Sequence, residues 1–310
     1  MGNRLNVMKV FLVLTVGISI CGVNFSSVNA EENEQNSIVE LAVQTSSFET
    51  ELSSDMSEIQ MSFDYDSSKE AREKAVEAYN EEHPESPVVN TEPIADKPKL
   101  LKAIVGADNR VKANTTLSPF KQIGYMEMGY INKGKMLWYV GTGSLVSGNT
   151  VLTAGHNLYD TKLKSWATTF IFQPGMTNYT APKAITSKKL YAMVGYTANN
   201  DSNYDIGLVK LSASVGNTGF LTYKSPTANV SYDAMISGYP GDKPGSQWYH
   251  TGKAMVGTQK IVYPIDTTPG QSGAPILNGK TVIGVHTLGS GVNEGVRITP
   301  TFYNWITSIK

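Results

Sequence analysis

Thiols are nearly absent from this chain of 310 residues, in which Cys21 is the only cysteine. A disulfide scaffold, a thiolate zinc site and an iron–sulfur cluster are therefore excluded, since each draws on several cysteines. Histidine is also scarce: the four are His83, His156, His250 and His286, so imidazole chemistry has few candidates. A membrane-spanning run is lacking at the N-terminus, where the apolar stretch Val10–Ile20 covers eleven residues and a spanning helix needs about 20. Net charge is small too, at −1 with a pI near 6.4. What is present is enough hydrophobic material, 40% against 17% charged residues, for a packed core in roughly two domains.

The near-zero charge conceals two opposed halves. Residues 31–102 hold 18 Asp and Glu against 6 Lys and Arg, a net of −12, whereas 103–310 hold 18 basic against 9 acidic, a net of +9. Ahead of both, Arg4 and Lys9 precede the apolar run, and Val28-Asn29-Ala30 offers the small residues a signal peptidase accepts. Residues 1–30 read as an export signal cut after Ala30. The rival is a lipid anchor on Cys21, which bulky Ile20 disfavours. The mature chain then has no thiol, which suits an extracellular enzyme. Residues 31–66 should be poorly ordered alone. Ser67-Ser68 can cap a helix over 69–79, and Pro84, Pro87, Pro93 and Pro98 punctuate a linker. The opposed charges favour a pro-segment, 31–102, lying on a basic catalytic part until cut at Lys102–Ala103; the alternative is a solvated spacer.

From residue 103 onward, short apolar and β-branched runs alternate with turn residues. Met136–Val146, 151–153, 169–172, 206–211, 234–237, 260–265 and 282–285 are examples. Strands so spaced, without intervening helices, predict an all-β fold, and the length suits two packed barrels with a boundary near 212–230. One helix is expected at the end, with Thr299 as cap, Pro300 in its first turn and Phe302, Trp305, Ile306 and Ile309 as its apolar stripe. No internal repeat is evident.

Three segments carry the chemistry. Val151-Leu152-Thr153-Ala154-Gly155-His156 delivers a histidine at a strand end beside small residues. Asp205 opens the apolar run Ile206–Leu211, and a shielded carboxylate there needs donors such as an imidazole N–H. Gly270-Gln271-Ser272-Gly273-Ala274-Pro275 surrounds a serine with glycines that let backbone N–H groups face an oxyanion. Each segment alone also fits a structural role. Together they give the order His, Asp, Ser used by chymotrypsin-like hydrolases. Neither a Gly-x-Ser-x-Gly elbow nor a His-Glu-x-x-His helix is present.

These segments resemble trypsin-like serine proteases. Residues 236–243 (Ile-Ser-Gly-Tyr-Pro-Gly-Asp-Lys) with Gln247-Trp248, Ala103–Gly106, Asn114-Thr115-Thr116 and Ile283–His286 are similar to secreted bacterial glutamyl endopeptidases. The resemblance spans 103–310 and implies two packed antiparallel six-stranded barrels with a C-terminal helix. It implies a catalytic triad of His156, Asp205 and Ser272, with backbone N–H groups of Gly270 and Ser272 as the oxyanion hole.

Two specificity readings collide. Asp266 lies six residues before Ser272, the offset at which trypsin selects Lys or Arg. The glutamyl endopeptidase resemblance implies instead that a P1 Glu, with Asp second, meets Thr267, an imidazolium at His286 and the new amino terminus at Ala103. The neutral Gln271 offers no counter-ion for a trypsin-style buried ammonium. The expected partners are peptides with an acidic P1 residue and, before activation, the chain's own pro-segment. No nucleic acid, stable membrane association or oligomer is expected. No cofactor is called for, and calcium is not indicated. A same-fold protease with another P1 preference and a catalytically silent binding or toxin-like relative are the alternatives.

Overall fold

The computed structural model describes residues 60–61, 67–93, 104–290 and 292–310. The expected export signal, Cys21, the expected cut at Lys102–Ala103 and Ala103 itself lie outside the described residues.

Twelve strands form two closed barrels. In the first, β1 (Ile123–Asn132), β2 (Lys135–Ser147), β3 (Thr150–Thr153), β4 (Thr169–Pro174), β5 (Ala184–Ala192) and β6 (Gly207–Leu211) pair in the cyclic order 1-2-3-6-5-4. In the second, β7 (Val230–Gly238), β8 (Trp248–Val256), β9 (Lys260–Tyr263), β10 (Pro275–Asn278), β11 (Thr281–Ser290) and β12 (Val292–Arg297) pair in the order 7-8-9-12-11-10. The two orders are the same pattern. All twelve pairings are antiparallel, so each sheet closes without open edges.

Period-two alternation fills each barrel. Met126, Met128 and Tyr130 of β1 and Phe170 and Phe172 of β4 point into the first barrel with Leu145, Val151, Ile185, Leu190 and Val209. Ile236, Ala254, Val256, Ile261, Tyr263, Ile276 and Ile283 fill the second. A third cluster joins the barrels, drawing on Ile123, Leu152 and Leu208 from one side and Leu277, Val285 and Val296 from the other. The closing helix, Pro300–Ile309, seals this cluster with Phe302, Trp305 and Ile306. Its cap is as expected: the Thr299 hydroxyl accepts the Phe302 N–H at 3.2 Å.

Upstream of the barrels lies helix α1, Ser67–Glu82, three residues longer at its C-terminus than expected.

Candidate active site

Strand β3 ends at Thr153, and one helical turn, Gly155–Leu158, follows with His156 in it. Asp205 sits at the end of the short 3-10 turn Ser202–Tyr204, directly before β6, which pairs with β3. Neighbouring strands thus deliver both residues at the same barrel end. One carboxylate holds the histidine twice: Oδ1 accepts the His156 backbone N–H at 2.8 Å, and Oδ2 meets Nδ1 at 2.7 Å. An ionised carboxylate only accepts, so Nδ1 carries the proton and Nε2 keeps its lone pair as a base. Burial alone would raise the Asp205 carboxyl, but the His156 charge and hydrogen bonds, with Lys260 nearby, hold it below the ordinary value. The small residue at 155 has a visible reason: a Cβ there would lie 3.2 Å from Asp205 Oδ1.

The Ser272 loop is tied to the histidine turn from the first barrel. The Ser272 carbonyl accepts from the Thr142 N–H at 2.8 Å and from Asn157 Nδ2 at 3.0 Å. The same Nδ2 group donates to Thr153 Oγ1 at 2.9 Å. Asn157, buried and adjacent to His156, therefore clamps the serine loop against the strand that ends at the histidine. Glycine is required on both sides of the serine. Gly270 has φ +96°, and a Cβ there would lie 2.5 Å from the Tyr239 carbonyl. Gly273 has φ +86° and packs against Thr142, Thr153 and Asn157.

His286 lies on β11, which pairs with the loop just after the serine. Gly273 N–H donates to the His286 carbonyl, and His286 N–H to the Ala274 carbonyl, both at 2.8 Å. The imidazole and Thr267 are both buried. Burial, then the nearby His156, push His286 down to about 3. In the unliganded fold, burial thus disfavours the charged ring that the resemblance implies. Its Nδ1 lies 2.7 Å from the hydroxyl of fully buried Tyr263. Burial keeps that phenol protonated, well above its ordinary value, and the His286 ring also hydrogen-bonds to the Glu294 backbone.

Asp266 does not serve as a trypsin-style specificity acid. It is 0% exposed. Its Oδ1 accepts the Val105 N–H at 2.8 Å and its Oδ2 the Asn109 N–H at 2.9 Å. The carboxylate is committed to the backbone of the segment after Ala103, so the Lys/Arg reading through Asp266 loses its basis. His250 supports the arrangement: its Nδ1 accepts the Asp266 N–H at 2.9 Å. Gln271 is buried, and its side-chain oxygen accepts the Thr268 N–H at 3.0 Å.

A cleft of about 470 Å³ opens beside the histidine, lined by Tyr139, His156, Tyr196 and Asp205 from the first barrel side and Thr287 and Leu288 from the second. Sequence reading missed Thr287, Leu288, Asn157 and Tyr263. The first two immediately follow His286, and Asn157 follows His156, which was the available signal. It also missed Arg110, whose buried guanidinium binds both oxygens of Asp242 at 2.9 and 2.7 Å and Thr268 Oγ1 at 2.9 Å. That side chain fastens the segment after Ala103 to the loops around the serine.

Comparison with known proteins agrees with this geometry. The model of the family described as Trypsin matches residues 121–310. The chain belongs to the trypsin family. It is a serine endopeptidase of that fold. Over 235 residues it is 34% identical to the glutamyl endopeptidase of Bacillus licheniformis, covering 70% of this chain and 72% of that protein. It is also 34% identical over 215 residues, 65% of this chain and 68% of the other, to a Bacillus subtilis protein named extracellular metalloprotease. Among the described residues, no group of three or more His, Cys, Asp or Glu is placed to hold a metal ion. A solved structure of a Glu endopeptidase in complex with MPD superposes with a TM-score of 0.61 at 32% identity, covering 66% of this chain and 98% of that one.

Proposed function

We propose that this trypsin-family protease is a secreted endopeptidase that cleaves after Glu, with Asp second, through a Ser272–His156–Asp205 triad and an acyl-enzyme. The observation that carries the catalytic part is the double hold of Asp205 on His156, which fixes the ring tautomer that leaves Nε2 basic. Ser272 Oγ attacks the scissile carbonyl while His156 Nε2 takes its proton. The same imidazolium then protonates the leaving amine, and water repeats the cycle to release the acyl group. Backbone N–H groups of Gly270 and Ser272 stabilise the oxyanion; removing one such donor typically costs about 10²–10³ in rate.

Glu preference is supported by two features. The only acid at the trypsin offset, Asp266, is spent on backbone amides. His286 is buried beside the serine loop, its ring held by the Tyr263 hydroxyl and the Glu294 backbone. Thr267 adds a hydroxyl donor, and the amino terminus freed at Ala103 adds positive charge. The glutamyl endopeptidase relatives support the same reading. Residues 1–30 act as the export signal and 31–102 as the pro-segment.

Fluorophosphonate labelling tests the triad: Ser272 is expected to be labelled, and an unlabelled, folded protein would instead indicate the silent relative. Paired peptides ending in Glu or Lys, with His286→Ala alongside, test specificity. Glu cleavage is expected to fall about 10–100-fold in the variant, in keeping with loss of a charge-assisted hydrogen bond. An unchanged Glu preference would reject the His286 assignment.

A further inference from the structure

A barrel strand that faces solvent should be polar on its outer side. Strands β1, β2, β4 and β5 are not. Their outward positions include Met136, Trp138, Ile171 and Ala184, all buried, and Glu127, which is 0% exposed. Helix α1 covers this face. Ala71, Ala75 and Val76 form its apolar stripe, with Val88 beyond the helix, and Arg72 from the same stripe forms a buried ion pair with Glu127. The stretch after the helix adds backbone and side-chain bonds. Val89-Asn90 pairs in parallel with Lys135-Met136, Asn90 Oδ1 accepts from Trp138 Nε1 at 2.8 Å, and Thr91 Oγ1 donates to the Met136 carbonyl at 2.7 Å.

The buried pair runs opposite in sign to the net charges of the two parts. The acidic leader contributes the cation to the buried pair, and the basic protease part contributes the anion. At this contact, shape, apolar burial and one reversed ion pair seat residues 67–93.

We propose that residues 67–93 remain seated on the first barrel after the chain is cut between 93 and 104, so that the newly cut enzyme is a two-chain particle. The inference rests on reading 31–102 as a pro-segment. The contacts above are made by residues 71–91, ahead of the cut, so cutting leaves them in place while it removes the covalent link and its effective concentration. Departure of the segment would expose Trp138, Met136 and Ile171 together and take the guanidinium away from the buried Glu127. Residues 67–93 are thus a wall of the barrel, and shedding them is a separate step from cutting the chain.

The test uses the full chain carrying Ser272→Ala, to prevent self-digestion, with a site for a sequence-specific protease placed within 94–102. After cutting, the fragment containing 67–93 is expected to co-elute with the protease part on size exclusion at micromolar concentration, and to separate in denaturant. Arg72→Ala is expected to speed its release about a hundredfold, while exposed Glu73→Ala leaves release unchanged. A fragment that elutes alone from the unsubstituted interface overturns the proposal, and this arm decides even if Arg72→Ala fails to fold. Because the readout is binding, it is independent of whether the enzyme prefers Glu.

Discussion

The carboxylate of Asp266 accepts the backbone N–H of Val105 across 161 positions of sequence at 2.8 Å, with Asn109 N–H on its other oxygen. An acid that looks like a specificity determinant is instead the anchor for the start of the protease part. Asp266→Asn is therefore expected to leave the ranking of Glu over Lys peptides intact. It should lower stability by about 1–3 kcal/mol, because an amide N–H replaces an acceptor facing a buried donor. Thermal unfolding and the paired peptides check both; Lys cleavage in the parent that vanishes in the variant would return Asp266 to the pocket.

The Tyr263 hydroxyl holds Nδ1 of His286 at 2.7 Å and so orients the ring. Tyr263→Phe is expected to lower kcat/KM on Glu peptides about tenfold, with a smaller change on Gln peptides of the same sequence. An equal loss on both would show a packing defect and not a specificity one.

Asn157 links the Ser272 carbonyl to Thr153 beside the histidine. Asn157→Ala leaves buried acceptors short of a donor and should cost about 1–3 kcal/mol of stability. The rate of fluorophosphonate labelling at Ser272 should fall with it, measured well below the unfolding temperature. Normal labelling in a destabilised variant would confine Asn157 to a structural role.

His286 gives an acid-side signature. Its ordinary value of 6.5 is pushed down to about 3 in the fold. Between those values the unfolded chain binds a proton that the folded protein refuses, so stability is lost as pH falls. The contribution approaches about 1.4 kcal/mol per pH unit in that window. His286→Gln should flatten the slope of unfolding free energy between pH 6 and pH 4, as followed by denaturant titration. An unaltered slope would mean that the ring is charged in the fold.

The legible strands were those whose pattern is apolar on both faces or sharply bounded by turns, such as Val151–Thr153 and Thr169–Phe172. Strands β1 and β12 were not legible. Gly124, Glu127 and Gly129 interrupt β1, and β12 reads Val-Asn-Glu-Gly-Val-Arg. Their strand character comes from partners on both sides, which no local window contains. The same holds in the site. His156, Asp205 and Ser272 stand beside glycine and small residues that announce a special backbone. Asn157, Tyr263 and Arg110 are ordinary residues made functional by what lies opposite them.

By itself the sequence determined the chemistry available to this protein and the order of its parts. One thiol and four histidines limit the options, and His, Asp and Ser in short glycine-marked segments select one reaction class. Only the tertiary structure decided how buried groups are used: Asp266 as an anchor, His286 as a ring held by Tyr263, and α1 as a wall joined by a reversed ion pair. The physical reason is that side-chain chemistry is local, whereas the role of a buried charge depends on which donors closure of the barrels brings within hydrogen-bond reach.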